Sequence, residues 1–130
     1  MNTTIKYLTS NLTPTEAERI YKDLLSLFEN DKVYLEKDLC LKSAADRLNT
    51  NTKYLSQVIN TRTNDNFQVF INHFRIREFQ SRLLSGDARL FTYYGLAQEY
   101  GFNNRSTFYR SFKEVTGQTP KAYFSHQAAA

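Results

Sequence analysis

Apolar residues return at helical spacing along almost the whole chain, and the runs are punctuated by Asn, Gly and Thr-Pro. This period, rather than the strict alternation of a half-buried strand, predicts an all-α protein. The first run is Ala17, Ile20, Tyr21, Leu24, Leu25, Leu27 and Phe28, ending near Asn30. It carries its own start signal. Thr13 stands at the N-cap, Pro14 at the first helical position and Glu16 three residues after the cap, with Leu12 placed to staple onto Ala17. Residues 31–39 hold no sustained helical pattern and read as an extended connector.

Beyond the connector, a short helix over 41–48 breaks at Asn49-Thr50-Asn51, and a second over 52–61 turns Leu55, Val58 and Ile59 inward, with Asn51 as its N-cap. A longer helix over 67–84 sets Phe67, Phe70, Ile71 and Phe74 on one stripe and stops before Gly86. At about 1.5 Å per residue it spans roughly 27 Å. Residues 92–100 form another short helix closed by Gly101, although Gly95 inside it costs about 1 kcal/mol relative to Ala. A helix over 104–116 then buries Phe108, Phe112 and Val115 before Gly117, and Thr119-Pro120 opens a last short helix through Tyr123 and Phe124.

Two segments of this series repeat one another. Ala45 stands four residues before Asn49 and precedes a helix with Leu55 and Ile59; Ala97 stands four before Gly101 and precedes a helix with Phe108 and Phe112. A small residue where two helices cross, a residue tolerant of positive φ at the turn, and apolar i, i+4 positions on the second helix are what a helix-turn-helix needs. The second copy has one extra residue in its turn. Asn49 stands where glycine would be usual, and Asn tolerates left-handed backbone. The predicted architecture is therefore two helix-turn-helix subdomains, over about 41–62 and 91–116. A long central helix joins them, an extra N-terminal helix precedes them, and a last helix covers about 120–126.

Charge sharpens this picture. The net charge is +4, but residues 1–40 carry five basic and seven acidic side chains against twelve and six in residues 41–130. The basic excess thus coincides with the repeat, which favours a polyanionic partner, and nucleic acid over membrane because no apolar run approaches the roughly 18 residues of a spanning helix. No membrane contact is expected of this segment. A single cysteine, Cys40, excludes an internal disulfide, and the first residues lack the apolar stretch of a signal peptide, so a cytoplasmic location is expected. Cys40 itself reads as a semi-buried thiol at an N-cap position. Two distant histidines, His73 and His126, offer no zinc-ligand spacing, and neither glycine-rich phosphate loop is present. No metal, no cofactor and no enzymatic activity are expected.

The run Gly101-Phe102-Asn103-Asn104-Arg105-Ser106-Thr107-Phe108-Tyr109-Arg110-Ser111-Phe112-Lys113, followed by Gly117, Thr119-Pro120 and Tyr123, resembles the DNA-binding domain of the AraC/XylS family of bacterial transcription regulators. The first copy resembles it more loosely through Leu39, Leu41, Ala45, Leu48, Tyr54-Leu55-Ser56 and Ile59, and Phe70-Ile71-Asn72 with Arg75-Ile76 is similar to the family's connecting helix. Tyr34-Leu35 ahead of Asp38-Leu39 resembles the segment that leads into this domain in larger, including membrane-anchored, regulators of Bacteroidetes-type bacteria. The resemblance implies a C-terminal DNA-binding domain over 39–126, preceded by an amphipathic helix and connector over 1–38 and followed by a tail over 127–130. It also implies the transcription machinery and the sensory part of a longer parent protein as partners of the chain.

Double-stranded DNA is the expected ligand. Successive major-groove turns on one face of DNA lie roughly 34 Å apart, which suits two recognition helices joined by a stiff linker. Arg105 and Arg110 have the fork that matches guanine, Gln57 suits adenine, and Lys53 suits guanine or phosphate. The resemblance places base contacts at Lys53, Ser56, Gln57, Arg105, Ser106 and Arg110. Asn51, Thr52, Tyr54, Asn104 and Lys113 are assigned to phosphates, with help from helix N-terminal amides. Arg75 and Arg77 are expected on a solvated or ion-paired face of the central helix. The competing reading is a helical protein-interaction or dimerisation module whose docking surface is the N-terminal helix and whose basic face is incidental.

Overall fold

The computed structural model describes residues 11–83 and 97–129. Among them are six α-helices and two 3-10 turns: α1 (Pro14–Glu29), a turn at Val33–Leu35, α2 (Leu41–Arg47), α3 (Thr52–Thr63), α4 (Phe67–Leu83), a turn at Gln98–Tyr100, α5 (Arg105–Thr116) and α6 (Pro120–Ala129). The described residues divide into two compact units, residues 11–33 with 38–70 and residues 34–37 with 71–83 and 97–129. Helix α4 begins in the first and continues into the second.

In the first unit α1 starts as the sequence predicts. Thr13 is extended, its side chain accepts from the Glu16 amide at 3.1 Å, and Pro14 occupies the first turn. Ala17, Ile20, Leu24 and Phe28 are buried along one stripe, and Leu12 is buried with them. Helix α3 packs on both α1 and α2, so the N-terminal helix is part of this unit rather than an appendage. Ala44 and Ala45 are fully buried on α2, which is why small side chains are needed at that crossing. Phe28 meets Phe70 of α4 with ring centroids 5.1 Å apart.

The second unit is built around aromatic rings. Phe79 of α4 is fully buried and lies 4.9 Å from Phe108, with Tyr100 and Phe112 both 6.0 Å away at near-perpendicular angles. Edge-to-face pairs of this kind favour each other beyond the area they bury. Tyr123 and Phe124 of α6 pack against the same cluster, and the Tyr123 hydroxyl accepts from Gln80 at 3.1 Å.

Four expectations are corrected. The connector is not simply extended, because Val33–Leu35 makes a 3-10 turn that buries Val33 and Tyr34. Cys40 is exposed, not semi-buried; as the residue flanking α2 it has extended backbone, and hydrogen bonding with Ser43 lowers its thiol below the ordinary value. The last helix runs to Ala129, through the segment expected to be tail, because alanine is the strongest helix former. Arg75 is 5% exposed, whereas Arg77 is exposed as expected. The expected roles of Gly86 and Gly95 lie outside the described residues, as does residues 91–96 of the second repeat.

Candidate nucleic-acid interface

Both turns are closed by the same pair of backbone hydrogen bonds. In the first unit Asn49 takes φ 55, its N–H donates to Asp46 at 3.2 Å, and the Thr50 N–H donates to Ala45 at 3.0 Å. In the second, Gly101 takes φ 96, its N–H donates to Gln98, and the Phe102 N–H donates to Ala97, both at 3.4 Å. This is the Schellman arrangement, in which a left-handed residue lets two orphan carbonyls of the preceding helix be satisfied at once. The following helix then starts on an asparagine in both copies. The Asn51 side chain accepts from the Tyr54 N–H at 2.8 Å and Asn104 from the Thr107 N–H at 3.0 Å. The left-handed residue precedes the capping asparagine by two positions in the first copy and three in the second, which is the extra residue anticipated from the sequence.

These turns decide which sides of α3 and α5 face outward. Leu55, Val58 and Ile59 are buried on α3, leaving Lys53 and Asn60 exposed and Thr52, Tyr54, Ser56 and Gln57 half-buried. Phe108, Ser111 and Phe112 are buried on α5, leaving Arg105, Ser106, Tyr109, Arg110 and Lys113 exposed. Lys53, Ser56 and Gln57 therefore lie together on the uncovered side of α3, and Arg105, Ser106, Arg110 and Lys113 on that of α5. Asn51 and Asn104 are exposed at the N-termini of these helices. Their side-chain oxygens are occupied by capping, but a carboxamide also carries two N–H donors suited to a phosphate.

The cations around these helices differ in what already holds them. Lys42 pairs with Asp46 at 2.7 Å, and Arg62, at the far end of α3, pairs with Glu18 at 2.9 Å and lies 4.6 Å over the Tyr21 ring. Arg62 thereby ties α3 to α1. Lys53, Arg110 and Lys113 are in no ion pair among the described residues. Exposed cations on one helix face without carboxylate partners make a field suited to a polyanion.

Behind each turn sits an arginine whose structural role the sequence reading missed. In the first unit Arg19 of α1 donates to the Leu48 carbonyl at 3.1 Å, while Glu16 and Asp23 hold its guanidinium at 2.8 and 3.1 Å. The hydrogen bond between them raises Arg19 and lowers Glu16 from their ordinary values. In the second, Arg75 donates from Nε to the Tyr34 carbonyl at 2.6 Å and from Nη2 to the Glu36 carbonyl at 2.9 Å. Burial pulls Arg75 down to about 10. One signal was available: Ile71, Arg75 and Phe79 follow one another at intervals of four, which puts Arg75 on the apolar stripe of α4.

The connector is pinned further by Tyr34, whose hydroxyl donates to Glu78 at 3.3 Å and whose ring lies 5.5 Å from Phe74. Burial first, and the Glu78 charge second, push this hydroxyl up to about 12. Gly101 is glycine for two reasons. Its φ is left-handed, and a Cβ there would stand 2.6 Å from the Tyr34 carbonyl oxygen and 2.8 Å from Cζ of Arg75.

Comparison with known proteins agrees with this geometry. The model of a family described as "Helix-turn-helix domain" matches residues 44–126. Relatives from Staphylococcus aureus strains MSSA476 and N315, each described as an uncharacterized HTH-type transcriptional regulator, are 31% identical over 114 residues. The match takes in 81% of this chain but 15% of the length of those relatives. A protein of unknown function from Listeria innocua superposes with a TM-score of 0.67 at 26% identity, covering 80% of this chain and 93% of that one. The C-terminal domain of AraT, a response regulator from Geobacillus stearothermophilus, has the same fold, with a TM-score of 0.62 at 24% identity over 82% of this chain and 81% of that one. No helix among the described residues is long and apolar enough to cross a membrane. With two turns closed alike, two outward polar helix faces and a family match across most of the chain, the protein belongs to the AraC-type helix-turn-helix domain family.

Proposed function

We propose that the chain reads double-stranded DNA with two recognition helices, α3 and α5, in adjacent major-groove segments. Lys53, Ser56 and Gln57 of α3 and Arg105, Ser106 and Arg110 of α5 contact base edges; Asn51, Thr52, Tyr54, Asn104 and Lys113 contact phosphates and set the register. The observation that carries this reading is the pairing of an identically closed turn with an uncovered polar helix face, once in each unit. The relatives' greater length supports a further step: the chain is the DNA-reading part of a longer cytoplasmic or membrane-anchored regulator, whose sensory part and contact with the transcription machinery lie elsewhere.

Selection of bound duplexes from a random DNA library tests the reading. Two enriched boxes about one helical turn apart are expected. Affinity for the selected duplex is expected to fall steeply with salt, because displacing counterions from several phosphates gives a large negative slope of log K against log salt. An unenriched library with a flat salt slope would instead leave a protein-docking role for α1.

A further inference from the structure

Tyr109 is 39% exposed, the one large hydrophobic side chain with that exposure among the described residues. It stands on the uncovered side of α5, one turn after Arg105, one turn before Lys113 and beside Arg110. Every exposed neighbour on that side is polar or charged. Its ring is not loose: it lies 5.2 Å from the buried Phe108 ring at 53°.

We propose that Tyr109 is a specificity-determining residue that reads the C5-methyl of a thymine beside the bases contacted by Arg105 and Arg110. The inference rests on the placement of α5 in the major groove. In that groove every base-pair edge offers donors and acceptors, and the thymine methyl is the apolar feature that an aromatic ring can recognise. A tyrosine has two rotatable side-chain angles, so holding its ring against the methyl costs little conformational entropy. The neighbouring arginines fork onto guanine and are blind to the methyl, so Tyr109 adds a base preference that the cations of this face do not supply.

The test uses the whole 130-residue chain and a duplex taken from the random-library selection. Each thymine in the box read by α5 is replaced in turn by deoxyuracil, which lacks only the C5-methyl, and Kd is measured for the native chain, Tyr109→Phe and Tyr109→Ala. One thymine is expected to matter: its demethylation weakens the native chain and Tyr109→Phe about fourfold, the worth of one buried methyl-sized group, and leaves Tyr109→Ala unchanged. Two results overturn the proposal. If Tyr109→Ala still loses fourfold at the same thymine, another residue reads the methyl. If Tyr109→Phe is weakened on every duplex as much as Tyr109→Ala, the hydroxyl is holding a phosphate instead.

Arg110→Ala separates this inference from the reading beneath it. When that variant binds the selected duplex more weakly but no thymine responds, the DNA-reading role of α5 stands and the role of Tyr109 falls. A library that yields no duplex removes both.

Discussion

The two helix-turn-helix copies reach one backbone geometry by opposite means. The first uses asparagine at the left-handed position and an arginine that stays half-exposed, held by two carboxylates of its own helix. The second uses glycine, and its arginine is buried against backbone carbonyls of the connector. Their cores differ in the same direction. Aliphatic side chains and small alanines fill most of the first, whereas five buried aromatic rings converge in the second. A turn closed by its own hydrogen bonds tolerates any residue that accepts positive φ; a turn with another segment pressed against it tolerates only glycine.

That difference makes the glycine the most sensitive position. Gly101→Ala combines a left-handed penalty of roughly 1–2 kcal/mol with an overpacking cost of roughly 1–3 kcal/mol, so urea unfolding followed by circular dichroism should show a loss of about 3 kcal/mol or more. Asn49→Gly, at the equivalent turn residue, should change stability by less than about 1 kcal/mol. A loss at Gly101→Ala no larger than the left-handed penalty would show that backbone conformation alone, and not the connector, restricts the second.

The arginines should separate next. Arg75→Ala leaves the Tyr34 and Glu36 carbonyls without their donor inside the protein, and an unmade buried hydrogen bond costs roughly 1–3 kcal/mol; a loss of about 3 kcal/mol is expected in the same assay. Arg19→Ala removes exposed pairs of the kind worth at most about 1 kcal/mol. Hydrogen exchange at the amides of α5 and α6 should rise in Arg75→Ala and not in Arg19→Ala.

Tyr34 gives the second unit an alkaline pH dependence of its own. Tyr34 ionises near 10 in an unfolded chain and is pushed up to about 12 here, so between these values the folded state holds a proton that the unfolded state has released. The stability it contributes is complete below pH 10 and is lost as the pH rises through 12, a decline on the order of 2 kcal/mol. Tyr34→Phe should flatten that part of an alkaline stability profile; an unchanged slope would place the titration elsewhere.

In binding, the second copy should dominate. Arg110 is exposed and in no ion pair among the described residues, and a bidentate base contact is worth roughly 1–3 kcal/mol. Arg110→Ala should therefore cost about tenfold or more in affinity for a selected duplex, and Gln57→Ala distinctly less. Equal losses would mean that the two copies share the grip evenly.

Much of this molecule was legible along the chain. The start of α1 at Thr13-Pro14, the left-handed Asn49 and Gly101, the capping Asn51 and the inward Leu55, Ile59, Phe108 and Phe112 all follow from periodicity and cap chemistry, which act over one or two turns. The outward side chains of α3 and α5 follow too, because naming the buried face of a helix names the opposite one. The connector was harder. Residues 31–39 lack any period, and the 3-10 turn within them is stabilised by what Val33 and Tyr34 bury against rather than by local preference.

Helix positions, turn residues and the outward polar faces of α3 and α5 were thus settled by local order in the sequence. The burial of Arg75, the pinning of Tyr34 and the crowding that leaves room only for glycine at 101 came from the fold. Each depends on groups brought together from far apart: the carbonyl that Arg75 meets first lies 41 residues away along the chain. An arginine reads as a surface residue until the chain returns to supply the acceptors that let it be buried, and no periodicity encodes that return.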